Sequence, residues 1–192
     1  MNDPGTLDGD TVRFERILPG PIERVWSYLT EGALLKTWLA EDGAIPPRAG
    51  ESFVLTMGGG DDMPEREGYE PKTYGTVVTY DPPRTLEYTW GVKSPDGTML
   101  DSTVRFDLEP LGDRVRLVLT HRPVIAGFGT RTLSGWHALL DTLRARLQNV
   151  EPADPMRSMR ELLPQYASRL TFGAASCAVH LTPRVRPRTA PS

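Results

Sequence analysis

The chain is poor in the residues that build metal centres and covalent cross-links. It has one cysteine, Cys177, and three histidines, His121, His137 and His180, among 192 residues. A single cysteine excludes an intrachain disulfide and fits a reducing compartment. The three histidines have no ligand spacing, so neither a zinc site nor any other metal or cofactor is expected. Long apolar runs are missing too: none approaches the ~20 residues that cross a bilayer. The first ten residues are polar with three aspartates, which does not read as a secretory leader. Basic charge is scarce. There are 22 Lys and Arg against 25 Asp and Glu, for a net charge of -3. Three of the arginines, Arg184, Arg186 and Arg188, stand in the acid-free stretch 171–192, leaving 19 basic against 25 acidic groups in the first 170 residues. Nucleic-acid binding needs a basic face to release counterions, and this mildly acidic body offers none. The absences together predict a soluble, cytoplasmic protein with no nucleic-acid partner and no membrane span.

Glycine and proline are abundant, at 18 each, yet 39% of residues are hydrophobic and four are Trp. No three-residue glycine period exists, so collagen is excluded, and the apolar content argues against global disorder. The Gly and Pro residues act instead as punctuation. Residues 11–18 alternate, with Val12, Phe14 and then Ile17 as the apolar set, and read as a strand. Pro19-Gly20-Pro21 ends it. Ile22, Val25, Trp26 and Leu29 then share one helical face over 21–30, and a second short helix covers Ala33–Leu39. Strands follow at 52–57, 73–80, 85–91, 101–109 and 114–121, separated by turns at Pro82-Pro83, Pro95-Asp96-Gly97 and Gly112-Asp113. Residues 58–72 form a polar, glycine-containing loop. Leu133, Trp136, Leu140, Leu143 and Leu147 mark a long helix over about 130–148. Seventeen helical residues span roughly 25 Å, enough to cross a sheet. Met159, Leu162, Leu163, Tyr166 and Leu170 mark a further amphipathic helix over 156–170, with Pro164 inside it.

The pattern is α+β: a curved antiparallel sheet gripping a long C-terminal helix, with two short helices after the first strand. It divides the chain into a flexible N-terminus at 1–10, the domain at 11–150, an additional helix within 151–170 and a disordered basic tail at 171–192. An outer strand at 11–18 or 52–57 offers an edge for a possible homodimer.

Several segments carry a family resemblance. Pro21-Ile22-Glu23-Arg24-Val25-Trp26 and Leu34-Leu35-Lys36-Thr37-Trp38-Leu39 resemble the opening of the START-like helix-grip (SRPBCC) superfamily. Within it they look like the branch of activator of heat-shock-protein-90 ATPase homologues. Tyr80-Asp81-Pro82-Pro83-Arg84 running on to Trp90, Val104–Pro110, Arg116–His121 and the helix at Gly135-Trp136-His137 continue the likeness through about residue 150. The resemblance implies a helix-grip fold with a cavity between sheet and helix. It also implies a protein that binds an apolar or aromatic small molecule. Alternatives are a cyclase- or hydrolase-type enzyme, a regulatory partner of a transcriptional repressor and, last in order, chaperone ATPase activation.

Candidate ligand-binding residues follow from parity and from the grip architecture. Trp38, Tyr88, Trp90 and Trp136 offer aromatic walls, with polar handles that need partners when buried. Phe106, Leu119 and Leu140 complete an apolar lining. His121 ends a strand whose Val115, Leu117 and Leu119 face inward, which places an imidazole at the cavity mouth. There it is either a ligand-bonding group, an acid–base catalyst near neutral pH, or a plain strand-end side chain. No catalytic residue is assigned. Gly58-Gly59-Gly60 lacks the Lys-Ser/Thr of a phosphate loop, and no Ser or Cys sits in a nucleophile elbow.

Overall fold

The structure, a computed structural model, describes residues 4–58, 71–94 and 96–178, without the side chains of 171–178. Among them, seven strands form one antiparallel sheet: β1 (Thr6–Asp8), β2 (Thr11–Pro19), β3 (Ser52–Thr56), β4 (Lys72–Asp81), β5 (Thr85–Lys93), β6 (Met99–Leu111) and β7 (Arg114–Arg122). Their order is β1-β2-β7-β6-β5-β4-β3. Four helices accompany them: α1 (Ile22–Thr30), α2 (Gly32–Leu35), α3 (Gly129–Leu147) and α4 (Pro155–Ala178). This is the expected α+β helix-grip arrangement, with α3 as the gripped helix.

Alternation decides which face of each strand turns inward. Val104, Phe106 and Leu108 of β6 and Val115, Leu117 and Leu119 of β7 are buried in one core with Leu133, Leu140, Leu143 and Leu147 of α3. The outer face carries polar pairs: Arg105 reaches Asp107 at 2.8 Å and Glu87 at 3.2 Å. The β6–β7 hairpin closes through Gly112, whose φ of 66° suits a residue without a side chain. At Gly75 the reason for glycine is space. It pairs with Phe53 across β3 and β4, and a Cβ there would stand 2.2 Å from the Phe53 ring.

Four expectations change. In β2 the alternation is strict, so Arg16 points in and is 1% exposed, while Ile17 points out and is 40% exposed. Register with β7 fixes this, pairing Arg16 with Leu117 and Ile17 with Arg116; a one-residue slip would turn the whole strand over. The buried guanidinium lies over the Phe14 ring at 5.0 Å and 4.0 Å from Asp141 on α3. Second, residues 6–8, read as part of a flexible N-terminus, form β1 and pair with β2. The edge strand at 11–18 is therefore covered over residues 11–13, and β3 is the outermost strand at the other side. Third, the second helix is one turn, Gly32–Leu35, rather than Ala33–Leu39. Fourth, α4 runs through Pro164 to Ala178, past the expected limit at 170. The rest of the stretch read as a basic tail, 179–192, lies outside the described residues, as do residues 59–70 of the polar loop.

The two ends of the sheet differ. At one end lie the β4–β5 and β6–β7 turns, and α1 packs on β6 and β7 there. Trp26 of α1 meets Tyr80 edge-on at 5.3 Å, and Arg24 of α1 donates to Asn149 beyond α3. At the other end β4 starts, β5 and β7 finish, and α3 begins. Helix α4 packs along α3. Tyr166 of α4 is hydrogen-bonded to His137 Nδ1 at 2.8 Å and donates to the Pro4 carbonyl, tying helix to N-terminal segment.

Candidate functional site

His121 stands at the open end of β7, paired with Val12 on one side and Val104 on the other. Its hydrogen bonds determine its proton. The Trp136 indole N–H can only donate, and it meets His121 Nδ1 at 2.8 Å. Nδ1 is therefore the unprotonated nitrogen. The ring proton sits on Nε2 and is donated to Ser102 Oγ, also at 2.8 Å. The Ser102 hydroxyl in turn donates to the Trp90 carbonyl at 2.9 Å. Both ring nitrogens are thus committed. Burial pushes the imidazole pKa down to about 4, because a low-dielectric site disfavours the cation. At neutral pH this histidine is uncharged, 8% exposed, and has no free nitrogen to exchange a proton. It links β7, β6, β5 and α3 into one hydrogen-bonded frame. The frame also sets the rings: Trp90 and Trp136 lie 5.5 Å apart, tilted by 57°.

Beside this frame runs a trough between α3, α4 and the sheet, in two compartments. The inner one, of about 270 Å³, includes Thr73, Trp90, His121, Arg131 and Trp136 in its wall. The outer one, of about 450 Å³, includes Trp38, Leu39, Arg146, Pro155 and Met156. Met57, Gly135, Leu139 and Met159 line both, so the compartments are adjacent. Gly135 lies at their boundary, where a Cβ would meet only Met159 Sδ, at 3.8 Å. Trp38 is pinned by donating its indole N–H to the Tyr28 carbonyl at 2.8 Å.

One polar atom in the inner wall is unsatisfied. Thr73 is 1% exposed, and its Oγ1 has no hydrogen-bond partner. Such a buried hydroxyl costs about 1–3 kcal/mol and is uncommon enough to need a reason. The 129–147 helix begins at the same compartment, with Phe128, Arg131 and Thr132 in its wall.

The structure brings Trp90, His121 and Trp136 together on the inner compartment and puts Trp38 on the outer one. It places Tyr88, Phe106, Leu119 and Leu140 in the closed core, each at most 1% exposed. Tyr88 meets Phe53 at 5.3 Å and Phe106 at 6.2 Å, beneath the trough rather than in its wall. Burial pushes the Tyr88 phenol above its usual range, so it stays protonated. Thr73, Arg131, Gly135, Leu139, Met57 and Met159 were not singled out as lining. The inward parity of Thr73 with Val77 was the available signal for the first. Nothing local marks the others, since the trough exists only once α3 and α4 are placed. Among the described residues no group of three or more His, Cys, Asp or Glu could hold a metal. A further depression of about 570 Å³ lies on the outer sheet face near Val54, Tyr74 and Thr76; it lacks the buried polar frame.

Comparison with known proteins now decides the family. Residues 19–148 match the family described as Activator of Hsp90 ATPase homolog 1-like protein. The chain belongs to that family. Among solved structures, the solution structure of the protein encoded by BPP1335 of Bordetella parapertussis is 33% identical. It covers 85% of this chain and 87% of its own, with a TM-score of 0.68. CalU16 from Micromonospora echinospora is 22% identical over 82% of this chain and 86% of that one, at 0.62. The Aha1 dimer from Colwellia psychrerythraea is 18% identical over 71% and 95%, at 0.57. The last two likenesses concern the fold alone. No curated protein matches the sequence. For this Activator of Hsp90 ATPase homolog 1-like chain, α4 lies beyond the matched residues. The trough therefore has one wall from the family domain and another, Met156 and Met159, from a segment outside it.

Proposed function

We propose that the chain binds one small, largely apolar, aromatic-sized molecule in the trough between α3 and the sheet, and that it works as a binding protein rather than a catalyst. The observation that carries this reading is the pair of adjacent compartments, walled by Trp38, Trp90, Trp136, Leu139 and Met159. Ligand sites of this kind are concave and mainly apolar, with few polar groups. The two methionines add adaptable, polarizable contact. The enzyme alternative rests on His121. Against it stand the occupation of both ring nitrogens and the lowered pKa, because an acid–base group must exchange its proton near the working pH. The single cysteine fits a cytoplasmic setting. A second copy would add at β3, where Val54 is exposed on an outermost strand.

The test fills the trough without disturbing the core. Leucine at position 135 has room for its Cβ, and losing a mid-helix glycine favours the helix. Titration of the wild-type protein with 2-naphthylmethanol, followed by Trp fluorescence, is expected to saturate. Gly135→Leu is expected to keep the far-ultraviolet spectrum and Tm while losing the titration. A wild-type protein that shows no saturable change overturns the proposal. So does a Gly135→Leu protein that titrates like wild type.

A further inference from the structure

The inner compartment is not uniformly apolar, and among the described residues its charged groups are basic. Arg131 and Lys72 are in its wall, His121 is held neutral, and no acidic side chain of the described residues lines it. Helix α3 starts there with no acid in its first turn and no side-chain hydrogen bond at its N-cap, Phe128. A 19-residue helix presents partial positive charge and unpaired N–H groups at such a start. Independently, Thr73 Oγ1 is buried and unpartnered in the same wall. A hydroxyl left without an acceptor inside an apolar site is explained by a ligand atom that supplies one.

Resting on the ligand-binding reading above, we propose that the ligand is an aromatic carboxylic acid, bound as the carboxylate. Its carboxylate lies in the inner compartment, accepting from the Thr73 hydroxyl and the Arg131 guanidinium near the start of α3. Its ring system runs past Trp90 and Trp136 over Gly135 toward Trp38. The two donors assigned to the carboxylate, one hydroxyl and one guanidinium, match a planar, singly charged acceptor. His121 contributes by position only. With Nδ1 and Nε2 committed to Trp136 and Ser102, it fixes the Trp136 indole and adds no charge of its own.

The experiment is calorimetric titration with 2-naphthoate and with its neutral counterpart 2-naphthylmethanol. Wild type is expected to bind the acid about tenfold more tightly, the worth of a hydrogen bond to a charged group. Arg131→Gln, at an exposed position, is expected to bring the two probes within about twofold of each other. Thr73→Val is expected to weaken naphthoate about tenfold and to raise the Tm of the empty protein, because it removes a buried hydroxyl that lacks a partner. Thr73→Ser is expected to restore naphthoate binding. Equal binding of the two probes overturns the carboxylate assignment and leaves apolar binding standing, as does a preference that survives Arg131→Gln. A Thr73→Val protein that binds naphthoate like wild type overturns the role of the hydroxyl. Failure of both probes to bind overturns this inference and the binding function together.

Discussion

At the end of the sheet where α1 packs, Leu18, Leu86, Leu108, Val115 and Leu117 face the core and are at most 5% exposed. At the opposite end Thr73, Trp90 and His121 of the sheet and Gly135, Trp136 and Leu139 of the helix line the inner compartment together. Both ends follow the same inward alternation, and the same helix lies across both. The difference is in side-chain stiffness and in hydrogen bonding. Branched aliphatic chains interdigitate to crystal-like density and fill whatever space the curve of the sheet leaves. Flat indole rings cannot fold into such a space. Here they are also held in place, Trp136 by His121 and the Trp90 backbone by Ser102. A glycine in the helix leaves room there, with only Met159 Sδ within reach of a Cβ. The polar frame thus fixes Trp136 and the Trp90 backbone in the wall of the open end.

Four variants sharpen the contrast. The largest effect is expected at the closed end. Leu143→Ala is expected to cost about 2–5 kcal/mol of unfolding free energy, measured by urea denaturation, with little change in affinity for 2-naphthylmethanol. If affinity fell as much as stability did, the two ends would not be separable. Next comes the pH response of the open end. The pKa of His121 is about 4 in the fold, against 6.5 for an unperturbed histidine. The unfolded chain therefore takes up this proton first. The stabilising contribution is complete above pH 6.5 and is lost as pH falls toward 4, at about 1.4 kcal/mol per pH unit. Wild type is expected to lose about 3 kcal/mol more than His121→Gln over that interval. Parallel stability curves for the two proteins would remove the neutral-histidine assignment.

A smaller loss is expected for Ser102→Ala. It leaves the His121 Nε2–H without its acceptor and the Trp90 carbonyl without its donor, at a cost of about 1–3 kcal/mol. Ligand binding should weaken as well, since the frame that sets the indoles is cut. The smallest effect is expected on the outer face. Arg105 carries a raised pKa, mainly from its hydrogen bond to Asp107, yet its side chain is 41% exposed. Arg105→Ala is expected to cost about 0–1 kcal/mol; a larger loss would mean that the outer face supports the core.

Most strands and the long helix are legible in the sequence because parity and helical spacing are local properties. Trp90, His121 and Trp136 are legible for the same reason: each lies on the inward phase of an element that the pattern defines. Arg16 is not, because a charge within an apolar alternation reads as outward until Phe14 and Asp141 are seen beside it. Tyr88 and Phe106 share the inward phase with Trp90, and phase alone cannot say that they lie under the trough. Met57 just past β3, Leu139 on α3 and Met159 on α4 come from three separate parts of the chain, and only their assembly makes them one wall. Thr73 looks like an ordinary strand threonine until its buried hydroxyl is found without a partner.

The four tryptophans report on the two ends separately, and their indole N–H signals in a nitrogen–proton correlation spectrum test the account most directly. Trp90, Trp136 and Trp38 line the trough, while Trp26 packs on Tyr80 at the closed end. During titration with 2-naphthylmethanol, the first three signals are expected to move and saturate together, with the Trp26 signal staying in place. Movement of Trp26 to the same extent, or no movement of Trp90 and Trp136, would contradict the open trough as the binding site.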